Sequence, residues 1–183
     1  MNVNFEHTDA GAVQPIIFEQ VIGEKPGGGV VANPAFDLPI GLAVGIDAGA
    51  IKPIKAYRLV LAVAALDTTI RIAKGSGHVV GDIIAHGGLG VASTAVDITN
   101  AAYDLVTVTM GVVIANDTVL FQGDVAHATD TVPIYTPSYL LGTPVYAGLG
   151  DQLAKLVNIA NVRKETVPAA LEVLAAIQTI KAV

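Results

Sequence analysis

The chain has 183 residues, of which 52% are hydrophobic and only 14% charged, whereas charged residues make up roughly 25% of an ordinary soluble domain. The formal net charge is −6, and the basic residues are scattered, which excludes the electrostatic footprint of a nucleic-acid-binding protein. The sequence contains no cysteine, which excludes disulfides and thiolate metal sites.

So few charges predict that part of the apolar surface is covered in use, either by a membrane or by other protein. A spanning helix needs about 20 consecutive apolar residues, and the longest run, residues 59–66, is bounded by Arg58 and Asp67. Glu6 and Asp9 are not expected in a signal peptide. We therefore expect protein contacts, in a homo-oligomer or a larger assembly, and no membrane or nucleic-acid partner.

Residues 1–37 are rich in proline and glycine and have no sustained periodicity, which predicts an extended N-terminal arm. Its apolar residues indicate that it contacts protein, and two alternatives remain open: a strand that pairs with its own domain, or an arm docked on a partner. The candidate anchor residues, which would bind a partner surface, are Phe5, Ile16, Ile17, Phe18, Val21 and Ile22.

Residues 38–183 are typical of a β-rich domain with many short strands. In residues 68–73, Ile70 and Ile72 alternate with Thr69 and Arg71, the period-two pattern of a half-buried strand. Further strands are predicted at positions 57–65, 79–84, 95–98, 103–110 and 118–121. The predicted fold class is mainly β, a short-strand β-barrel or sandwich with one short C-terminal helix and the extended N-terminal arm.

A weak internal repeat divides this β-rich region. Residues 40–54 and 141–156 each read as a strand, a turn with glycine and aspartate, and a second strand. This is a recurring hairpin rather than a solenoid repeat. Residues 57–121 lie between the two copies, and one interpretation is an insertion that forms its own small β-barrel.

The C-terminal end holds the single predicted helix, at positions 169–177. Thr166 is the expected N-cap, and Pro168 fits the first turn. Residues 178–183 alternate Ile180 and Ala182 with polar side chains, which predicts a last strand.

The histidines and the other candidate catalytic residues do not match a catalytic motif. The histidines His7, His78, His86 and His127 fall in different regions, without a metal-ligand pair. A small hydrolase that uses Ser76, His78 and Asp82 is one alternative function, although a Gly-rich turn is the simpler reading of these residues. A receptor- or glycan-binding module that uses loops in residues 135–146 is the other. We expect no catalytic, cofactor-binding or metal-binding residues.

Several stretches resemble one known family. These are A-G-A-I-K-P-I-K-A-Y (48–57), T-T-I-R-I-A-K-G-S-G-H-V-V-G-D-I-I (68–84), D-I-T-N-A-A-Y-D-L-V-T-V-T (97–109) and the ending N-V-R-K-E-T-V-P-A-A-L-E-V-L-A-A-I-Q-T-I-K-A-V (161–183). They resemble head fibre, or capsid-decorating, proteins of tailed phages, notably crAss-like and related phages of gut bacteria. The resemblance covers about residue 38 to the end.

The resemblance implies a non-enzymatic virion component, a homotrimer that the N-terminal segment fixes to the major capsid protein on the outside of the shell. Its location would be the virion, with the host cytoplasm as the place of assembly. No collagen-like, heptad or β-solenoid stalk is visible in the sequence, so we expect a compact knob rather than a long fibre.

Overall fold

The structure is a computed structural model that describes residues 16–183; Phe5 lies outside the described residues. The described part is mainly β, with short strands and one short helix, as predicted. The strands are β1 (Phe18–Glu24), β2 (Gly29–Val31), β3 (Ala43–Asp47), β4 (Ala50–Pro53), β5 (Ala56–Arg58), β6 (Thr69–Ala73), β7 (Ile83–His86), β8 (Leu89–Ala92), β9 (Ala95–Asp97), β10 (Tyr103–Thr107), β11 (Val119–Gln122), β12 (Pro137–Leu141), β13 (Gln152–Ala154), β14 (Leu156–Val162) and β15 (Ile180–Ala182); the helix is α1 (Leu171–Ala176).

The largest sheet has the order β1-β14-β12-β3-β4, with β15 parallel to one part of β14. Apolar residues point alternately to its two faces, and both faces are buried. One face packs against α1, in a core that includes Ala43, Leu140 and Val157. The other face packs near β2 and β13, in a second core. This core includes Val44, Leu141 and Leu156, each of which is the sequence neighbour of a residue in the first core. Because neighbouring side chains of a strand point to opposite faces, one central sheet serves two cores.

The segment between the two repeat copies has its own core and its own sheets. Its strands form the sheets β6-β10-β9 and β5-β11-β7-β8, which contain only residues between Ala56 and Gln122. A core of eleven buried side chains, all between Tyr57 and Leu120, lies within this segment. A single bridge from Leu59 to Ile72 joins the two sheets, and no sheet within residues 16–183 closes into a barrel. These residues form two short open sheets around one core rather than a closed barrel, and we call them the inserted unit (residues 56–122).

The described part of the predicted arm pairs with its own domain, one of the two alternatives that the sequence left open. Strand β1 runs antiparallel to β14, and β2 runs antiparallel to β13. Phe36 then reaches the inserted unit: the Cβ of any side chain at Gly77 would overlap its ring, and Lys55 Nζ lies 6.0 Å from the ring centroid. The N-terminal segment thus contributes to the packing of both parts of the fold.

The C-terminal helix is shorter than predicted, and its cap differs. It begins at Leu171 after Ala170, which makes no side-chain capping bond. Thr166 is not the N-cap; its hydroxyl donates to the carbonyl of Ile16 at 2.6 Å instead. The last predicted strand is present as β15. Within residues 16–183, no helix has the length and apolar character that crossing a membrane requires.

Candidate interaction site at the first strand

A groove with uncharged walls lies where the described chain begins. Its volume is about 560 Å³. Three segments that are distant in sequence line it: Ile16, Ile17, Phe18; Pro39, Ile40; Gly142, Pro144 and Tyr146. We call this the N-terminal groove. Since Ile16 and Tyr146 keep 57% and 50% of their surface exposed, its rim is apolar and accessible, as at protein-binding clefts.

Hydrogen bonds and close packing hold the N-terminal wall of the groove in place. Besides the bond from Thr166 to Ile16, the amide of Arg163 donates to the carbonyl of Ile17 at 3.0 Å. Gly41, at φ +82°, lets Ile17 approach its backbone so closely that a Cβ at this position would be 2.5 Å from Ile17 Cγ2. The groove wall is therefore pre-formed, which lowers the entropic cost of binding a partner.

Strand β1 continues from the groove as an edge of the large sheet as residues 16–183 form it, because within these residues it pairs only with β14. The pairing passes from Val21↔Ala160 to Gly23↔Ile159, so Ile22 is an extra, bulged residue. Its side chain is 63% exposed and that of Val21 is 40% exposed. Bulges disfavour the docking of a further strand on an edge. We therefore expect a partner to contact the side chains of β1 rather than to extend its sheet.

Ion pairs flank the exposed apolar residues of β1. Arg163 Nε lies 2.8 Å from Glu19 Oε1, and Lys155 Nζ lies 2.7 Å from Glu24 Oε1. Both pairs are half-exposed, so each contributes little to stability. They neutralise both charges of the strand, those of Glu19 and Glu24, so the strand that carries Val21 and Ile22 has no unpaired charge.

The predicted anchor residues divide into two groups in the structure. Ile16, Ile17 and Phe18 come together in the groove, although Ile17 and Phe18 also pack partly against the core next to α1. Val21 and Ile22 are exposed on β1. Whether any of them binds a partner stays a prediction.

Sequence reasoning missed the walls formed by Pro39, Ile40, Pro144 and Tyr146. The weak repeat was the available signal, because its two copies lie side by side: the Gly41 amide donates to the Leu141 carbonyl at 2.7 Å, and the Leu141 amide donates to the Leu42 carbonyl at 3.0 Å. This pairing brings the proline-containing segments of both copies to the same groove.

The residues of the hydrolase alternative lie in the inserted unit but lack the required hydrogen bond. The ring of His78 is 1% exposed, and its Nδ1 lies 3.6 Å from Asp82 Oδ2. Ser76 Oγ is buried and has no hydrogen-bond partner among residues 16–183. A hydroxyl nucleophile needs a base within hydrogen-bond reach, and this arrangement does not provide one. Burial lowers the pKa of His78, against the nearby charge of Asp82.

The Asp82 carboxylate instead accepts hydrogen bonds from four donors, three in the inserted unit and one on Lys55, which directly precedes it. Its Oδ2 accepts from Lys55 Nζ at 2.8 Å, from the Tyr57 hydroxyl at 2.9 Å and from the Val79 amide at 3.0 Å; Oδ1 accepts from Gln122 Nε2 at 3.1 Å. Burial raises the pKa of Asp82, but the Lys55 ammonium and the other donors outweigh it, so the net pKa lies below 3.8. Burial and the same carboxylate raise the pKa of Tyr57.

A separate polar contact, between His86 and Glu172, joins the inserted unit to α1. His86 Nδ1 lies 3.1 Å from Glu172 Oε1, which also accepts from the Gly87 amide at 3.0 Å. The hydrogen bond to Glu172 raises the pKa of His86 above 6.5. Partial burial raises the pKa of Glu172, but the bonds from His86 and Gly87 outweigh it and the net pKa lies below 4.5.

The stabilisation from the His86–Glu172 pair is expected to be largest between pH 4.5 and 6.5. The contribution of His86 is complete below pH 6.5 and is lost as the pH rises through its raised folded-state pKa. The contribution of Glu172 is complete above pH 4.5 and is lost as the pH falls through its lowered pKa. Urea unfolding of the wild type and Glu172→Gln should therefore differ more at about pH 5.5 than at about pH 9. Equal differences at both pH values would contradict this.

Comparison of the chain with protein-family models, with curated proteins and with solved structures finds no match. The interpretation of the N-terminal groove therefore depends on its own residues.

Proposed function

We propose that this protein is a non-enzymatic structural component of a tailed-phage virion, which decorates the outside of the capsid as a head fibre or knob. The sequence resemblance suggests this role. The N-terminal groove is the observation that carries it, because it joins three of the predicted anchor residues in one accessible, uncharged cleft. The proposed partner is the major capsid protein, with a second copy of this chain as the other partner, in a homotrimer.

In this proposal the groove and the exposed residues of β1 bind an apolar segment of the shell. Ile16 and Ile22 are each more than half exposed, and burying such a side chain contributes about 1.5–3 kcal/mol before the cost of ordering. Because hydrogen bonds from Thr166 and Arg163 already hold the N-terminal wall of the groove, ordering this segment on binding offsets little of the free energy gained by burial. Weak single contacts suffice if several subunits bind one shell together.

Replacing both Ile16 and Ile22 with aspartate is expected to weaken binding to shells at least about tenfold, since each tenfold change corresponds to about 1.4 kcal/mol. The measurement is co-sedimentation with shells assembled from the major capsid protein of the phage that encodes the chain. Both side chains are exposed, so the variant should fold, which circular dichroism checks.

Ile98→Asp is a matched control, because Ile98 is 67% exposed and lies beyond β9 in the inserted unit. It should bind shells like the wild type. If the Ile16→Asp/Ile22→Asp variant binds as well as Ile98→Asp, the groove is not the anchor. If the wild type does not bind shells, the proposed function is wrong.

A further inference from the structure

The inserted unit carries an apolar surface that its own folding does not use. Residues 59–66 and 108–115 contain no charged side chain. They run side by side through one bridge, in which Val63 and Ile114 exchange backbone hydrogen bonds of 2.8 and 2.9 Å. Both of these side chains are buried in the core of the unit. Their immediate neighbours, Ala62, Ala64, Val113 and Ala115, are all exposed.

The larger side chains around this bridge are also exposed. Leu66 keeps 91% of its surface accessible, Val113 77%, Leu61 52%, and Val60 and Val112 40% each. We call these five residues the uncharged patch. A single exposed leucine is common on protein surfaces, but a group around one bridge is characteristic of an interaction site.

We infer that the uncharged patch is the surface through which two copies of this chain associate. The five side chains expose on the order of 400–500 Å² of apolar surface in each copy, so three patches that meet around the three-fold axis of a trimer bury about 1,200–1,500 Å² in total. A charged partner surface would lose its hydration against this patch without compensation. A second copy presents the same five uncharged side chains.

This inference deepens the proposed function and rests on it, because it names the surface by which the decorating subunits associate. The patch belongs to the inserted unit, whereas the N-terminal groove is built from the large sheet and its flanking segments. Self-association and shell binding therefore use different parts of the chain, and each can be removed without the other.

The test is sedimentation equilibrium of the Leu66→Glu/Val113→Glu variant. Wild type is expected to form oligomers of the 18.7 kDa chain, and the variant to associate at least about tenfold more weakly. Leu149→Glu/Val30→Glu is the matched control, with the same residue types, the same charge change and exposed fractions of 68% and 56%. This control should associate like the wild type.

Three outcomes overturn the inference: a single-chain wild type, a patch variant that associates like the wild type, or a control that weakens association as much as the patch variant. Co-sedimentation with shells, run on the same variants, separates this result from the proposed function. Unchanged association in the patch variant together with wild-type shell binding refutes the inference alone. Normal oligomers that do not bind shells refute the proposed function alone.

Discussion

Asp82→Ala is expected to destabilise the folded protein by about 3–5 kcal/mol, the usual cost of removing one partner from a buried ion pair. The Lys55 and Asp82 side chains are only 15% and 12% exposed. Alanine would leave the Lys55 ammonium without its counter-charge and the Tyr57 hydroxyl without its acceptor. Urea unfolding at neutral pH, followed by circular dichroism, measures the change.

Asp67→Ala is the control for this prediction. The carboxylate of Asp67 accepts one hydrogen bond, from the Ala64 amide at 2.7 Å, in an exposed turn, so its removal should cost about 1 kcal/mol or less. Asp82→Asn should lie between the two, because it keeps an acceptor oxygen but loses the charge. Equal losses for Asp82→Ala and Asp67→Ala would show that the Asp82 cluster does not stabilise the inserted unit.

Gly77→Ala is expected to cost about 2–5 kcal/mol, from a left-handed backbone and from overpacking together. Gly77 has φ +67°, and an added Cβ would overlap the ring of Phe36. The substitution should therefore separate the N-terminal segment from the inserted unit. Thermal or urea unfolding measures the loss.

Gly75→Ala is an internal control in the same loop, with φ +79° and no atom within 4 Å of an added Cβ. It should show only the backbone cost of about 1–2 kcal/mol. In a Phe36→Ala background, Gly77→Ala should cost less stability than it does in the wild type, since the overlapping ring is gone. If Gly75→Ala and Gly77→Ala cost the same, the contact with Phe36 does not contribute.

The class of the fold could be predicted because the strand patterns are local. The alternation of Ile70 and Ile72 with polar residues predicted a strand at positions 68–73, and β6 spans Thr69–Ala73. The strand predicted at 79–84 begins only at Ile83. Gly81 has φ +95°, and Asp82 accepts from the Val79 amide. Both features define a turn.

The least accurate strand prediction was at positions 57–65, because β-propensity does not reveal burial. Strand β5 ends at Arg58, and the apolar residues that follow form isolated bridges and an exposed surface. Ile16, Ile17 and Phe18 could be selected as anchors from their apolar character alone. The opposite walls of the groove could not, since Pro39 and Pro144 meet through a pairing that spans about a hundred residues.

The central sheet limits how this protein can change during evolution. Successive residues of β3, β12 and β14 enter different cores, as Leu140 and Leu141 do. Inserting or deleting one codon within these strands would exchange the contents of the two cores over the rest of the strand. Homologous chains should therefore vary in length at turns such as residues 148–151, while these three strands keep constant lengths.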